Sequence, residues 1–252
     1  MQHKGTVRLE TDRLILRRFR LDDSGAAFQN WTSDKRVTEL RWPAHDTVNT
    51  TKKILQTWVD GYARDDFYQW AIVLKNNENG PVGTISVVDR NDALNILHIG
   101  YCIGSRWWNQ GITSEAFSGI IPFLFEQVKA NRIESQHDPR NPNSGKVMTK
   151  CGLKYEGTLR QADISNKGVV DAAVYSILAD EYFSKQAQCK SVRAIPHNSK
   201  CRIAPADFFV TVAGKSASAA TLKASAVNCA VLPQKPSGRL PGRPAPAPYF
   251  CF

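Results

Sequence analysis

Apolar and polar positions change their period several times along the chain, and each change marks an element. Residues 13–20, Arg-Leu-Ile-Leu-Arg-Arg-Phe-Arg, roughly alternate and are rich in branched side chains, so they read as a strand. Leu21-Asp22-Asp23 offers a helix cap, and a short helix follows over 25–31. Over 47–63 the spacing lengthens to four, with Ile54, Trp58 and Tyr62 on one stripe, which predicts a longer helix. Two strands come next, at 67–75 and 82–88, and the Asn79-Gly80 step between them is a hairpin signal. Residues 96–103 form another strand and 104–109 a turn. Ile112, Ala116, Ile120, Leu124 and Val128 then recur every four residues, predicting a helix over 110–130 that Pro122 should kink. A strand at 131–136, a short helix at 143–151 ended by Gly152, and a hairpin of 153–164 with 169–178 complete the pattern. Strands interrupted by one crossover helix place the chain in the α/β class, a mixed sheet with helices on its faces.

Beyond residue 183 this periodicity stops. Eight of the 13 prolines lie past residue 195, and 215–226 is low in complexity. Such composition buries too little apolar area to offset the entropy of ordering. The expected division is a folded domain over 1–183 and a basic, Pro/Ala/Ser-rich, disordered tail over 184–252, in which 208–212 (Phe-Phe-Val-Thr-Val) is the one strand-like piece. Charge sharpens that boundary. The formal net charge is +10, yet the tail holds ten Lys and Arg against a single acid, Asp207, leaving 23 bases and 22 acids before it. The basic character therefore belongs to the tail, where it is dispersed, and no specific nucleic-acid partner is expected. Cys102 and Cys151 lie in the domain and four more cysteines in the tail, with no C-x-x-C pair and no zinc-ligand spacing, so no metal is expected. No apolar run approaches the ~20 residues that span a bilayer, and Met1-Gln2-His3-Lys4-Gly5 lacks the apolar stretch of a secretory signal. A cytoplasmic protein without a membrane partner is the expectation.

The passage that carries chemistry is Ile103-Gly104-Ser105-Arg106-Trp107-Trp108-Asn109-Gln110-Gly111-Ile112-Thr113-Ser114-Glu115-Ala116. A polar loop entering a helix directly after a strand aims unpaired N–H groups at one spot, and the helix dipole favours an anion there. Gly111 lets a ligand approach the backbone because no Cβ intrudes. An ordinary capped turn would look much the same.

This passage resembles the acetyl-CoA loop of GNAT N-acetyltransferases, in which a Gln or Arg precedes a Gly-x-Gly/Ala step. Gly111-Ile-Thr-Ser-Glu-Ala116 is closer still to the loop ending of the ribosomal-protein N-acetyltransferase branch (RimJ/RimL type). Trp108 stands where Gln or Arg is usual, and Thr113 where Gly or Ala is usual. Further segments resemble the family in its own order: the opening strand at 10–19, Asn131-Arg-Ile-Glu, Asn141-Pro-Asn-Ser144 running on to Gly152-Leu, Glu156-Gly157, and Asp171 through Tyr175 to Leu178. The tail has no counterpart.

The resemblance implies a GNAT-type fold, a mixed and mostly antiparallel twisted sheet flanked by helices, with acetyl-CoA as cosubstrate. The strand ending Tyr101-Cys102-Ile103 should splay from the 131–136 strand and bind the pantetheine arm through its freed backbone. Amides of Asn109, Gln110, Gly111, Ile112, Thr113 and Ser114 should hold the pyrophosphate, and Asn141 the arm near the acetyl end. Many family members place a proton-donating Tyr where this chain has Met148. In the ribosomal-protein branch the proposed acid is the Ser matching Ser144, and the proposed base a carboxylate matching Asp163. Plainer roles also fit: Ser144 as a helix cap, Asp163 as a solvated hairpin residue, Asn141 as a turn residue, Glu115 as a complement to the helix dipole, His98 as a core histidine or else a base beside the pocket. The acceptor would be a small amine or a protein N-terminus, with Asp22, Asp23, Asp60, Asp65 and Asp66 as candidates for drawing a cation. Two function classes follow: an N-acetyltransferase, as monomer or homodimer, or a non-catalytic coenzyme A-binding module of the same fold.

Overall fold

Strand pairing decides where the sheet of this chain is closed and where it opens. The computed structural model describes residues 1–39, 41–76 and 80–193. Its strands are β1 (Leu9–Glu10), β2 (Leu14–Arg17), β3 (Gln69–Leu74), β4 (Gly83–Asn91), β5 (Ile96–Ile103), β6 (Arg132–His137), β7 (Lys154–Ser165) and β8 (Gly168–Leu178). They form one sheet in the order β1-β2-β3-β4-β5-β6-β8-β7. Every pair is antiparallel except β5–β6, which run parallel. The mixed sheet read from the residues is present, and it is mostly antiparallel as the resemblance implies.

Helices cover both faces. On one lie α1 (Ser24–Ala27), continued by a π-helical turn at Phe28–Thr32, then α2 (Lys35–Thr38) and α3 (Val48–Gly61). Helix α3 starts at Thr47, whose hydroxyl accepts from the Thr50 amide (3.1 Å), and it buries Leu55 and Trp58. With Phe19, Trp31, Ala71 and Cys102 these residues form the smaller core. On the other face lie α4 (Ile112–Glu126), α5 (Pro142–Lys150) and α6 (Ala179–Arg193). The larger core sits there, where Phe117, Ile120, Phe123 and Leu124 of α4 meet Leu14, Leu16, Trp70, Ile85 and Leu97 of the sheet. Helix α4 is apolar nearly all round because it is buried nearly all round.

Several boundaries differ from expectation, among them the end of β4, which runs on from 88 to Asn91. Helix α4 is shorter than 110–130 because Asn109 (φ 60°) and Gly111 (φ 75°) turn left-handed before it and Lys129 (φ 62°) does so after it. The first long strand shrinks to Leu14–Arg17 as the Phe19 amide leaves the ladder to donate to Tyr62 Oη (2.8 Å). Helix α6 carries the chain past residue 183 as far as Arg193. The expected tail beyond it, with its 208–212 stretch, lies outside the described residues, as does the tip of the hairpin at 77–79. Helix α5 closes as Gly152 predicts: at φ 89° its amide donates to Thr149 O and that of Leu153 to Met148 O, a Schellman stop. Among the described residues no helix is long and apolar enough to cross a membrane.

Candidate active site

Between β5 and β6 the sheet opens. The two strands pair only through Ile96↔Arg132, Leu97↔Ile133 and His98↔Glu134. Past that rung they part, and Ser135 Oγ donates to the Ile99 carbonyl (2.7 Å) at the fork. On its other edge β5 stays bonded to β4, where the Gly104 amide donates to Val82 O (2.9 Å). Antiparallel alternation therefore turns the N–H and C=O of Tyr101 into the gap. Strand β4 bulges between Val87 and Asp89, beside the same fork.

A cavity of about 430 Å³ runs through the gap. Tyr101, Cys102, Ile103, Asn109, Gly111, Ile112, Thr113, Ser114, Asn141 and Ser144, all singled out from the sequence, line it. Gln110 does not. Its side chain turns back to donate to Arg106 O (2.8 Å).

The entry to α4 fits an anion. Gly111 is its N-cap, and a Cβ there would meet only Arg13 Nη2 at 3.6 Å, so the left-handed backbone and not crowding calls for glycine. Since no side chain caps the helix, the amides of Ile112, Thr113 and Ser114 have no intrahelical acceptor and stand at the positive end of the dipole. Glu115 locks this turn from behind. Its carboxylate accepts from Thr11 Oγ1 (2.6 Å), the Arg13 amide (2.9 Å) and Arg13 Nε (2.6 Å). Burial works against its charge, but the bonds from Thr11 and Arg13 outweigh it and hold the carboxyl below its usual range. Trp108 covers the loop, with Nε1 donating to Ile103 O (3.1 Å).

Helix α5 closes the cavity on the same face. It begins at Pro142 after Asn141, so Ser144 sits inside the first turn and not at the cap. Tyr101 Oη donates to the Ser144 carbonyl (2.9 Å) and pins that turn to β5. Burial raises the Tyr101 phenol far above its ordinary value, which keeps it a neutral strut. Met148 packs in the core at 1% exposure. At Gly145 a Cβ would fall 2.7 Å from His137 Nε2 and 3.0 Å from Tyr175 Oη, so glycine lets α5 sit this close. His137 Nδ1 lies 2.8 Å from Asp138 O, and its buried Nε2 has no partner among the described residues.

Side chains of β5 alternate, sending Ile99, Tyr101 and Ile103 toward α4 and α5, and His98 and Cys102 toward α1–α3. The cavity thus reaches both faces, and Arg36, Val37, Glu39, Arg41 and Trp42 line its far side. Asp163 is not in the lining. Its Oδ2 accepts from Arg41 Nη1 (2.6 Å) and its Oδ1 from the Ile164 amide (2.8 Å), which leaves it one guanidinium behind the wall. Lys167 Nζ donates to Glu39 Oε1 (2.6 Å) and Asn166 Nδ2 to Thr38 O (2.9 Å), so the β7–β8 turn clasps the segment after α2. These partners lie at least 122 residues apart, and no local pattern announces them. Nor do Asp22, Asp23, Asp60, Asp65 or Asp66 line the cavity. Asp23 is paired with Arg17, and Asp66 with Arg64 and Arg90.

The family model of the acetyltransferase (GNAT) domain matches residues 13–154. The chain is similar to the N-acetyltransferase p20 of Bacillus licheniformis, at 28% identity over 177 residues, covering 69% of this chain and 97% of that protein. It is also similar to the ribosomal-protein-serine acetyltransferase of Escherichia coli (strain K12), at 28% identity over 147 residues, covering 56% of this chain and 78% of that one. Among solved structures, the fold is like that of RimL, a ribosomal alpha-N-protein acetyltransferase in complex with coenzyme A. There the TM-score is 0.60 at 20% identity, covering 68% of this chain and 99% of that one.

Proposed function

The chain belongs to the acetyltransferase (GNAT) family, and from that membership we propose that this acetyl-CoA-dependent N-acetyltransferase delivers its acetyl group to a primary amine by direct attack through a tetrahedral intermediate. The amine is a protein N-terminus, the kind of acceptor named for RimL, or a small molecule. One observation carries the reading: β5 and β6 separate after the His98↔Glu134 rung, and the uncapped start of α4 borders the same cavity.

The residues fit the cosubstrate in kind. The first-turn amides at 112–114, with the backbone at Asn109 and Gly111, would hold a diphosphate. Backbone groups of Tyr101 facing the gap would bond the pantetheine arm and polarise the thioester carbonyl. Asn141 lies beside Ser144, where the arm would end. Acetyl-CoA supplies the activated acyl group; the chain orients it and manages protons. In this proposal Ser144, held by Tyr101, gives a proton to the departing thiolate. Asp163 acts at one remove, by fixing Arg41 in the wall.

Calorimetric titration of the full chain with acetyl-CoA, followed by thiol release from Ser- and Ala-initiated peptides and small polyamines, tests the reading. Saturable binding with turnover on a member of this panel is expected. Absence of binding overturns it, and binding without turnover would favour the non-catalytic coenzyme A module.

A further inference from the structure

We propose that His98, oriented by Glu134, is the general base that relieves the incoming ammonium of its proton; this rests on the acetyl-transfer reading above. His98↔Glu134 is the last rung before the strands part, so the imidazole stands at the floor of the gap and lines the cavity. Alternation along β5 turns it toward the face bearing α1–α3, opposite Tyr101 and Ser144. An amine entering past Arg41 and Trp42 would meet His98 on one side of the gap while the thiolate leaves toward Ser144 on the other.

His98 Nδ1 lies 3.4 Å from Glu134 Oε1, and Arg132 Nε donates to Glu134 Oε2 at 2.7 Å. An ionised carboxylate only accepts, so Nδ1 carries the hydrogen and Nε2 keeps a lone pair for the substrate. The His98 ring, against burial and with help from Arg132, keeps the Glu134 carboxyl below its usual range. The charged groups flanking His98 are Asp89, its register partner on β4, and Glu134 with Arg132 on β6.

The carboxylates nearby are engaged: Glu39 is paired with Lys167, Asp138 with Arg140, and Asp163 with Arg41 outside the lining. His137 Nε2 has no partner among the described residues, but it lodges against Gly145 on the α5 side, opposite the face by which the amine would enter. In the step itself, His98 Nε2 takes one proton from R–NH3+, leaving R–NH2. The nitrogen lone pair forms the C–N bond and the C–S bond breaks. The thiolate receives a proton from Ser144 Oγ, which regains one from the nitrogen as the amide forms, and the His98 proton leaves to solvent.

The test uses the full chain with acetyl-CoA in excess. In protein carrying nitrogen-15 in its imidazoles, with His98 identified by the signal lost in H98Q, nitrogen NMR at pH 8 should show Nδ1 protonated and Nε2 bare; the opposite tautomer overturns the proposal. H98Q should lower kcat/KM on the Ser- and Ala-initiated peptides by about 100- to 1,000-fold at pH 7, with the KM for acetyl-CoA unchanged. That deficit should shrink as pH passes the peptide amine's own value of about 8. E134Q should lower kcat/KM less and weaken the tautomer preference. A deficit that stays flat with pH, or none, rules His98 out as the base. Acetyl-CoA calorimetry on the wild type separates the two levels: no binding sinks the acetyl-transfer reading itself, whereas binding with the wrong tautomer or a flat deficit sinks His98 alone.

Discussion

Replacing Glu115 with Ala would cut the tie that holds the start of α4 to the β1–β2 turn. Of the donors it satisfies, the Thr11 hydroxyl is buried (Thr11 is 4% exposed) and the Arg13 amide is part-buried. Leaving a buried donor unsatisfied costs ~1–3 kcal/mol. The Arg13 side chain is 52% exposed, so solvent screens its ion pair and that contact adds ~0–1 kcal/mol at most. E115A should therefore lower stability by about 3 kcal/mol, the midpoint in urea falling with an unchanged slope. E115Q keeps one acceptor oxygen for Thr11 and the Arg13 amide but turns an NH2 toward Arg13 Nε, and should cost about 1 kcal/mol. Because Arg13 Nη1 also donates to Gln110 O (3.2 Å), E115A should weaken acetyl-CoA binding several-fold by calorimetry as the loop before α4 loosens. The pH dependence has a definite sign. The folded carboxyl lies below its ordinary 4.5, so its contribution is complete above that value and fades as pH falls through the folded one. E115Q should flatten that acid limb. An E115A loss under ~0.5 kcal/mol, well below one buried donor left unpaired, or equal losses for both variants, would refute the reasoning.

Other outcomes follow from the same geometry. S144A should reduce kcat by about 100-fold while acetyl-CoA affinity by calorimetry stays at the wild-type value. R41A removes the partner of Asp163 where both side chains are only 14% and 12% exposed, and should cost about 2 kcal/mol in urea unfolding, less than for a fully buried pair; adding D163N should recover part of it. G145A presses a methyl group against His137 and Tyr175 and should destabilise by ~1–2 kcal/mol, seen as a lower Tm. Glu156 is held down to about 2 by Arg132 and then Ser176. Its contribution should thus persist through mild acid and disappear between pH 4.5 and about 2, and E156Q should remove that part of an acid-unfolding curve.

The sequence by itself determined most of the elements and the strand-to-helix passage that leads into α4. Ile96–Ile103 emerged with its predicted bounds because a strand buried on both faces is marked by apolar residues bounded by turn signals, which neighbours in sequence supply. The loop before α4 was legible for the same local reason: Gly111 is needed where the backbone turns left-handed. Elsewhere local signals misled, since nothing in the propensity of Lys129 announces a left-handed stop to a helix. Only the tertiary structure decided which side chains share the gap. Parallel pairing of β5 with β6 for three rungs and no more, the Arg41–Asp163 pair that moves a carboxylate behind the wall, and the His98–Glu134 contact at the fork join residues far apart in the chain. Their energies depend on distances that exist only once the sheet and helices have packed, so no window along the sequence contains them.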